Sequence, residues 1–391
     1  MSLLNLFTRK KKNYKKELIW FGPVFSYSGY AEHNRQIIFQ LLEHNWKIRL
    51  IPSEKHIPEH LIGKNILTAL TKNTDLLQEN TICLNLIPPP ALPYWGKYTV
   101  LYTTLESLTV HEGFLKRCLQ YDEVWCPCLT NYQSLLRAGI KSKYLKYCPE
   151  GVDSKRFNPS VAPSRKHNKN YFTFLFNGDW SFRKGIDLLF TAYLEEFTRN
   201  ENVRLLVFSR YQGNDDKKAV DRLQQELAEF KERHYKADLP LVEIISNSVP
   251  DHEVPGIFTS ADCFVLPTRG EAWGLPISQA LASGIPAITA DWGGQMTFCT
   301  KENSFLIETE KFDTIDDKIN CAVDFYKGQQ FCFPSVISLK EQMRLAFTNR
   351  NLTKEKGYVA RKDMVEKWGW EKAGNTANSL LCECLERIKR L

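Results

Sequence analysis

Strand-like and helix-like runs alternate along nearly the whole chain, and that alternation restricts it to parallel sheets covered by helices, an α/β architecture. In the first half "ELIWFG" reads as a strand, and Ile37, Ile38, Leu41 and Leu42 give the following segment an apolar face at helical spacing. The runs "KIRLI", "TICLNL", "YTVLYTT", "DEVWCP" and "KYLKYC" continue the series as strands. Between Lys155 and Asn170 the pattern stops, because Pro159, Pro163 and "SRKHNKN" offer little apolar surface to bury, as in a linker. It resumes at "YFTFLFNGDW", with strands at "VRLLVFS", "LVEII", "DCFVLP" and "PAITA" and helices near 185–198, 216–233, 254–261 and 275–283. A chain of 391 residues exceeds one ordinary core. The expectation is two Rossmann-like, doubly wound parallel-sheet domains, over 1–160 and 168–371, with a terminal helix at 372–391 fit to pack back on the first.

Charge and cysteine content exclude several functions. Of the formal charge of +7, six basic residues (Arg9 to Lys12, Lys15 and Lys16) fall in the first sixteen positions, so the body is close to neutral. A nucleic-acid reader needs a basic face on its folded body, and this chain supplies only a basic tail over 1–17. With Leu3, Leu4, Leu6 and Phe7 ahead of the charges, the tail fits peripheral contact with an anionic membrane as well as it fits a solvated end. Charge follows the apolar stretch rather than preceding it, unlike a signal peptide, and the uncharged run 80–96 is interrupted by four prolines. Eleven cysteines scattered through apolar contexts suit a reducing compartment, so a cytoplasmic protein is expected. The pairs Cys126 with Cys128 and Cys382 with Cys384 lack zinc-site spacing.

Chemistry concentrates at two strand-to-helix turns. In "CFVLPTRGEAWGLPISQALASGIPAITA" a buried strand ends at Leu266, a loop carries Glu271 and Trp273, and Gly274 opens a helix with Pro276 in its first turn. The free amides of Gly274 and Leu275, with the helix dipole, suit a diphosphate. In "NGDWSFRKGIDLLFTAYL" another strand runs into a glycine turn, and Arg183 and Lys184 precede its helix. In the first half, "FGPVFSYSGYAEHNRQI" places Gly22, Ser28 and Gly29 between strand and helix, where backbone can approach a ligand. Glu106 follows "YTVLYTT" and should emerge at the carboxyl edge of its sheet. His33 and His111 are further acid–base candidates, though each also suits a capping or surface role. No Asp-x-Asp stands at a strand end, and Asp215 with Asp216 falls in a polar loop, so no metal is expected.

Glu271, Trp273, Gly274, Leu275, Pro276, Gly284 and Pro286 resemble the donor-site signature of the retaining glycosyltransferases of family 4, group 1 enzymes with the two-domain GT-B fold. "CPEGVDSKRFNP", "DEVWCPCLTNYQSLLRAGI" and "VPDHEVPGIFTSADCFVLP" extend the resemblance over about residues 18–300. It implies that Glu271 contacts the transferred sugar, that Arg183 and Lys184 neutralise the leaving diphosphate, and that Gly29, Gly178, Gly274 and Leu275 lie along the donor. It also implies a base-facing loop that begins at Val249, and donor contacts from Trp273 and Gln279. The pattern departs at Gln279, where the family's second Glu binds the ribose. Gln still accepts a bond but lacks charge assistance. Glu106 stands where many members carry a histidine and would orient acceptor or sugar.

The resulting expectation is a retaining, metal-independent transferase moving a sugar from a UDP- or GDP-linked donor to a glycan or other hydroxyl acceptor, with no cofactor. A nucleotide-sugar epimerase of the same fold and a non-catalytic sugar-nucleotide binder are the alternatives. A dinucleotide oxidoreductase lacks its Gly-x-Gly-x-x-Gly after a strand.

Overall fold

The computed structural model describes residues 15–57, 61, 63–73, 75, 81–87, 96–164, 170–209, 221, 224–225, 227–230, 232, 238–245, 249–314 and 324–388. The basic tail through residue 14, the linker centre at 165–169, and Asp215 with Asp216 lie outside these residues, as does much of the helix expected at 216–233.

The first half contains β1 (Glu17–Gly22), α1 (Gly29–Glu43), β2 (Lys47–Pro52), α2 (Lys64–Leu70), β3 (Ile82–Leu86), β4 (Tyr98–Tyr102), α3 (Glu112–Cys118), β5 (Glu123–Cys126), α4 (Leu129–Arg137) and β6 (Leu145–Tyr147). Its six strands are all parallel, in the order β2-β1-β3-β4-β5-β6. Every residue of β3 and β4 is buried, as expected of parallel strands covered on both faces. The order in which strands are added reverses between β1 and β3, opening a crevice at their carboxyl ends.

The second half contains β7 (Phe172–Asn177), α5 (Ile186–Glu196), β8 (Val203–Phe208), β9 (Leu241–Ile245), α6 (Val254–Phe258), β10 (Cys263–Leu266), α7 (Leu275–Ala282), β11 (Ala287–Ala290) and β12 (Ser304–Ile307). These six strands are parallel in the order β12-β11-β10-β7-β8-β9, with the switch point between β7 and β10. Two Rossmann-like doubly wound sheets therefore form, as the alternation requires. An antiparallel pair, β13 (Thr309–Thr314) with β14 (Gln330–Pro334), follows β12. The sequence pattern does not announce this pair, since β13 is almost wholly surface-lying and shows no apolar alternation.

Three helices close the chain: α8 (Val336–Thr348), α9 (Arg350–Lys367) and α10 (Trp370–Ile388). On α10, Trp370, Ala373, Ala377, Leu381 and Cys384 recur at helical spacing and are buried with Ile37, Ile38 and Leu41 of α1. Burial of one such Leu contributes about 1.5–3 kcal/mol. Arg387 of α10 also pairs with the buried Glu123 of β5. The last helix thus belongs to the first half's core although it follows the second half in sequence. Residues 154–157 are tied down as well, since Arg361 on α9 donates to the carbonyls of Ser154 and Phe157, both at 2.9 Å. No helix among the described residues is long and apolar enough to cross a membrane.

Candidate active site

The carboxyl ends of β7 and β10 meet at the second sheet's switch point, and the two loops that leave them build one wall of a cleft between the halves. The cleft holds a cavity of about 370 Å³ lined from both halves. After β7 a tight turn, Phe182–Lys184, runs into α5 through Gly185. Gly185 adopts φ +71°, and a Cβ there would lie 2.0 Å from the Pro267 carbonyl, so only glycine lets this turn close against the β10 loop. Arg269 fixes the turn from behind: it donates to the Phe182 carbonyl at 2.6 Å, pairs with Asp187 at 2.7 Å and stacks on the Phe182 ring.

This closure brings together the three charged residues expected there. Lys184 Nζ lies 2.6 Å from Glu271 Oε1, and Arg183 Nη1 lies 3.4 Å from the same oxygen while donating to the Gly270 carbonyl at 2.7 Å. Thr268 Oγ1 completes the surround of that oxygen at 3.3 Å. Burial works against ionisation of Glu271, but Lys184 and Arg183 outweigh it and hold the carboxyl below its ordinary range. Burial also opposes the charge on Arg183, and Tyr326, Glu106 and Glu271 more than offset it. The result is a carboxylate with two cations, ready to be shared with an incoming anion.

Gly274, at φ +93°, makes the sharp entry into α7, a conformation L side chains rarely adopt. The carbonyl of Gly274 accepts from the amides of Ile277 and Ser278, and Pro276 has no N–H. The amides of Gly274 and Leu275 therefore open the helix without intrahelical partners. Gln279 lies half-buried one turn further along α7, on the cleft. Gly178 lines the cleft beyond β7. Trp273 behaves differently: its indole packs on Phe298 and Trp368 in the second-half core, so its residue borders the cleft while its ring anchors the loop. Val249 is half-buried against the same core and does not line the cleft.

The opposite wall comes from the first half. The loop after β1 is clamped by Glu54, whose carboxylate accepts from the amides of Val24 at 2.9 Å, Phe25 at 3.1 Å and Ser26 at 3.0 Å. Arg35 holds it from the other side through the carbonyls of Val24 and Ser26. Ser28 caps α1, and Gly29 opens it with only Leu275 of the facing half near its Cβ position, at 3.7 Å. Two helix starts, at Gly29 and Leu275, therefore approach one another across the cleft. Glu106 lines the cleft and accepts from the Tyr326 hydroxyl at 2.7 Å. The same linkage continues outward, since Leu108 donates to the Gln330 carbonyl at 2.7 Å.

Of the two histidines, His33 borders the cleft and is 1% exposed, with Nδ1 3.4 Å from Glu150. His111 caps α3 by accepting from the Gly113 amide at 3.1 Å and stands outside the cleft lining. Sequence reasoning missed Glu150, Tyr30, Tyr326 and the Arg156–Asp251 pair at 2.7 Å. Glu150 had a signal, since it belongs to the run "CPEGVD", but nothing in that run reveals a turn toward a cleft. Among the described residues, no group of three His, Cys, Asp or Glu side chains is arranged to hold a metal ion.

Residues 159–328 match the family model described as glycosyl transferases group 1. Mannosylfructose-phosphate synthase of Agrobacterium fabrum is 30% identical over 161 residues, which is 40% of this chain and 34% of that protein. The match thus spans about a third of the curated relative. Among solved structures, HepE of Anabaena in complex with UDP and glucose superposes with a TM-score of 0.63 at 12% identity, over 94% of this chain and 100% of that one. Sucrose-phosphate synthase from Thermosynechococcus elongatus does so with a TM-score of 0.65 at 14% identity, over 95% of this chain and 100% of the other. At that identity the likeness is one of fold, the two facing α/β domains of the GT-B architecture.

Proposed function

We propose that the chain, whose residues 159–328 match the family model described as glycosyl transferases group 1, moves a sugar, with retention and without a metal ion, from a UDP- or GDP-linked donor to a glycan or other hydroxyl acceptor. The observation that carries this reading is the convergence of Lys184 and Arg183 on Glu271 beside the start of α7. As the bond from the anomeric carbon to the β-phosphate oxygen breaks, charge grows on the leaving diphosphate. Two fixed cations and the amides of Gly274 and Leu275 meet that charge without reorganising. Glu271, held ionised, accepts hydrogen bonds from the sugar's hydroxyls. The acceptor oxygen forms the new bond on the face the diphosphate leaves, and its proton passes to the departing phosphate oxygen. That HepE was solved with UDP and glucose makes UDP-linked sugars the first donors to test. The basic tail would hold the enzyme at an anionic cytoplasmic membrane surface, which cosedimentation with anionic vesicles tests.

The deciding experiment offers UDP- and GDP-sugars with an acceptor panel in chelator and determines the anomeric configuration of the product by NMR. Arg183→Ala should lower turnover roughly 10²- to 10³-fold, the usual loss for a preorganised charge-stabilising donor. An inverted product, metal dependence, or Arg183→Ala activity within a few-fold of wild type would overturn the corresponding part of the reading.

A further inference from the structure

Among the described residues, nearly every acidic side chain that lines the cleft has a partner or open water. Glu271, Asp251 and Glu32 each meet a cation, Glu106 accepts from Tyr326, and Asp179 is exposed. Glu150 is the exception. It sits in the loop after β6, 5% exposed, with His33 Nδ1 3.4 Å from its Oε1. That imidazole makes no hydrogen bond through either ring nitrogen and is enclosed by Tyr102, edge-on at 4.5 Å, and Trp370 at 5.8 Å.

The titratable groups that interact with Glu150 are Tyr30 and His33 on α1, Tyr102 on β4, Cys128 at the head of α4, Cys148 beside β6, Glu106 on the same wall and Glu271 across the cleft. None supplies a positive charge. Burial pushes His33 down to about 3, so the ring stays neutral. Burial first, then Glu271 and Glu106, push the Glu150 carboxyl well above its ordinary range. An isolated buried carboxylate is costly enough that such a group neutralises instead.

We infer that Glu150 holds its proton at neutral pH and presents a hydrogen-bond donor to an oxygen of the nucleotide sugar, so that losing this proton weakens donor binding. The identity of the ligand rests on the transferase reading; the proton rests on the surroundings of Glu150 alone. A diphosphate enters a cleft whose two cations are already shared with Glu271, and a further ionised carboxylate would repel it. A carboxylic acid in the same place bonds to it.

Glu150→Gln keeps the shape and an N–H donor but cannot ionise. The wild-type-minus-variant infrared spectrum of the unliganded protein at pH 7 should contain the C=O band of a protonated carboxyl. Calorimetric titration with UDP and GDP between pH 6 and pH 9 should show wild-type affinity falling relative to the variant, by up to about tenfold per pH unit once Glu150 ionises. The ratio of the two proteins cancels the titration of the nucleotide's own phosphate. Absence of the band, or a constant ratio across a pH range over which the band disappears, overturns the inference. The band present with neither nucleotide bound by either protein overturns the transferase reading and the ligand named here, while the proton on Glu150 stands.

Discussion

Lys184→Ala removes the cation that stands 2.6 Å from Glu271 Oε1 in a setting where both side chains are less than a tenth exposed. At that separation two unit charges attract by about 6 kcal/mol if the effective dielectric is about 20, and desolvation offsets part of this. Breaking one partner of a buried pair costs about 3–5 kcal/mol because a charge is left uncompensated. Arg183 at 3.4 Å and Thr268 at 3.3 Å remain on the same oxygen, so the lower end, about 3 kcal/mol, is expected. Glu271 has a depressed carboxyl pKa, so its contribution is full above the unfolded carboxylate range and is lost as pH falls through the folded value. The variant should lose part of that acid limb. Turnover should fall roughly 10²- to 10³-fold, because the charge proposed to meet the leaving diphosphate is gone. Urea unfolding and kcat/KM with a UDP-sugar separate the two effects once Lys184→Ala/Glu271→Gln is added. With Glu271 neutral and Arg183 still facing Glu106 and Asp179, the double variant should recover about 2 kcal/mol of stability over Lys184→Ala and none of the activity. A single variant within about 0.5 kcal/mol of wild type, additive stabilities in the double, or near-normal turnover would refute the electrostatic argument.

Gln279→Glu should tighten donor binding by about 1 kcal/mol, near fivefold, by adding charge assistance to the ribose contact expected of this position, and unchanged or weaker binding in a calorimetric titration would remove Gln279 from the ribose. Gly185→Ala should cost at least about 2 kcal/mol in urea unfolding, from φ +71° and a Cβ 2.0 Å from the Pro267 carbonyl. Gly29→Ala, whose Cβ meets only Leu275 at 3.7 Å, should leave stability within about 0.5 kcal/mol of wild type; equal costs for the two would contradict this placement of the backbone. The His33–Glu150 pair sets opposing pH slopes. His33, depressed to about 3, makes folding more favourable as pH rises from about 3 toward its unfolded value of 6.5. Glu150, raised from 4.5, makes folding less favourable as pH rises above that value. Glu150→Gln removes only the second slope, so its stability advantage over wild type should grow by about 1.4 kcal/mol per pH unit above pH 4.5 until Glu150 ionises; a constant difference between pH 5 and pH 8 would contradict it.

The strands from β1 to β11 follow the runs read from the sequence, because their apolar residues are buried locally and the burial pattern is written residue by residue. Both chemistry-bearing turns were legible for the same reason: a strand end, a glycine and a helix start are contiguous in sequence at 177–186 and 266–275. The hairpin of β13 and β14 was not, since β13 buries almost nothing and offers no periodicity.

What the sequence determined by itself is therefore local: two doubly wound units, the glycine turns that open α5 and α7, and the cationic and anionic side chains those turns carry. Tertiary structure decided everything that depends on which loops meet. It placed Lys184 on Glu271, Tyr326 on Glu106, the neutral ring of His33 against Glu150, and α10 back on α1. It also turned the Trp273 ring into the core and left His111 as a helix cap. The physical reason is that periodicity encodes the face an element buries, whereas the charge and proton state of a cleft residue depend on partners that only the docking of distant segments brings within a few ångströms.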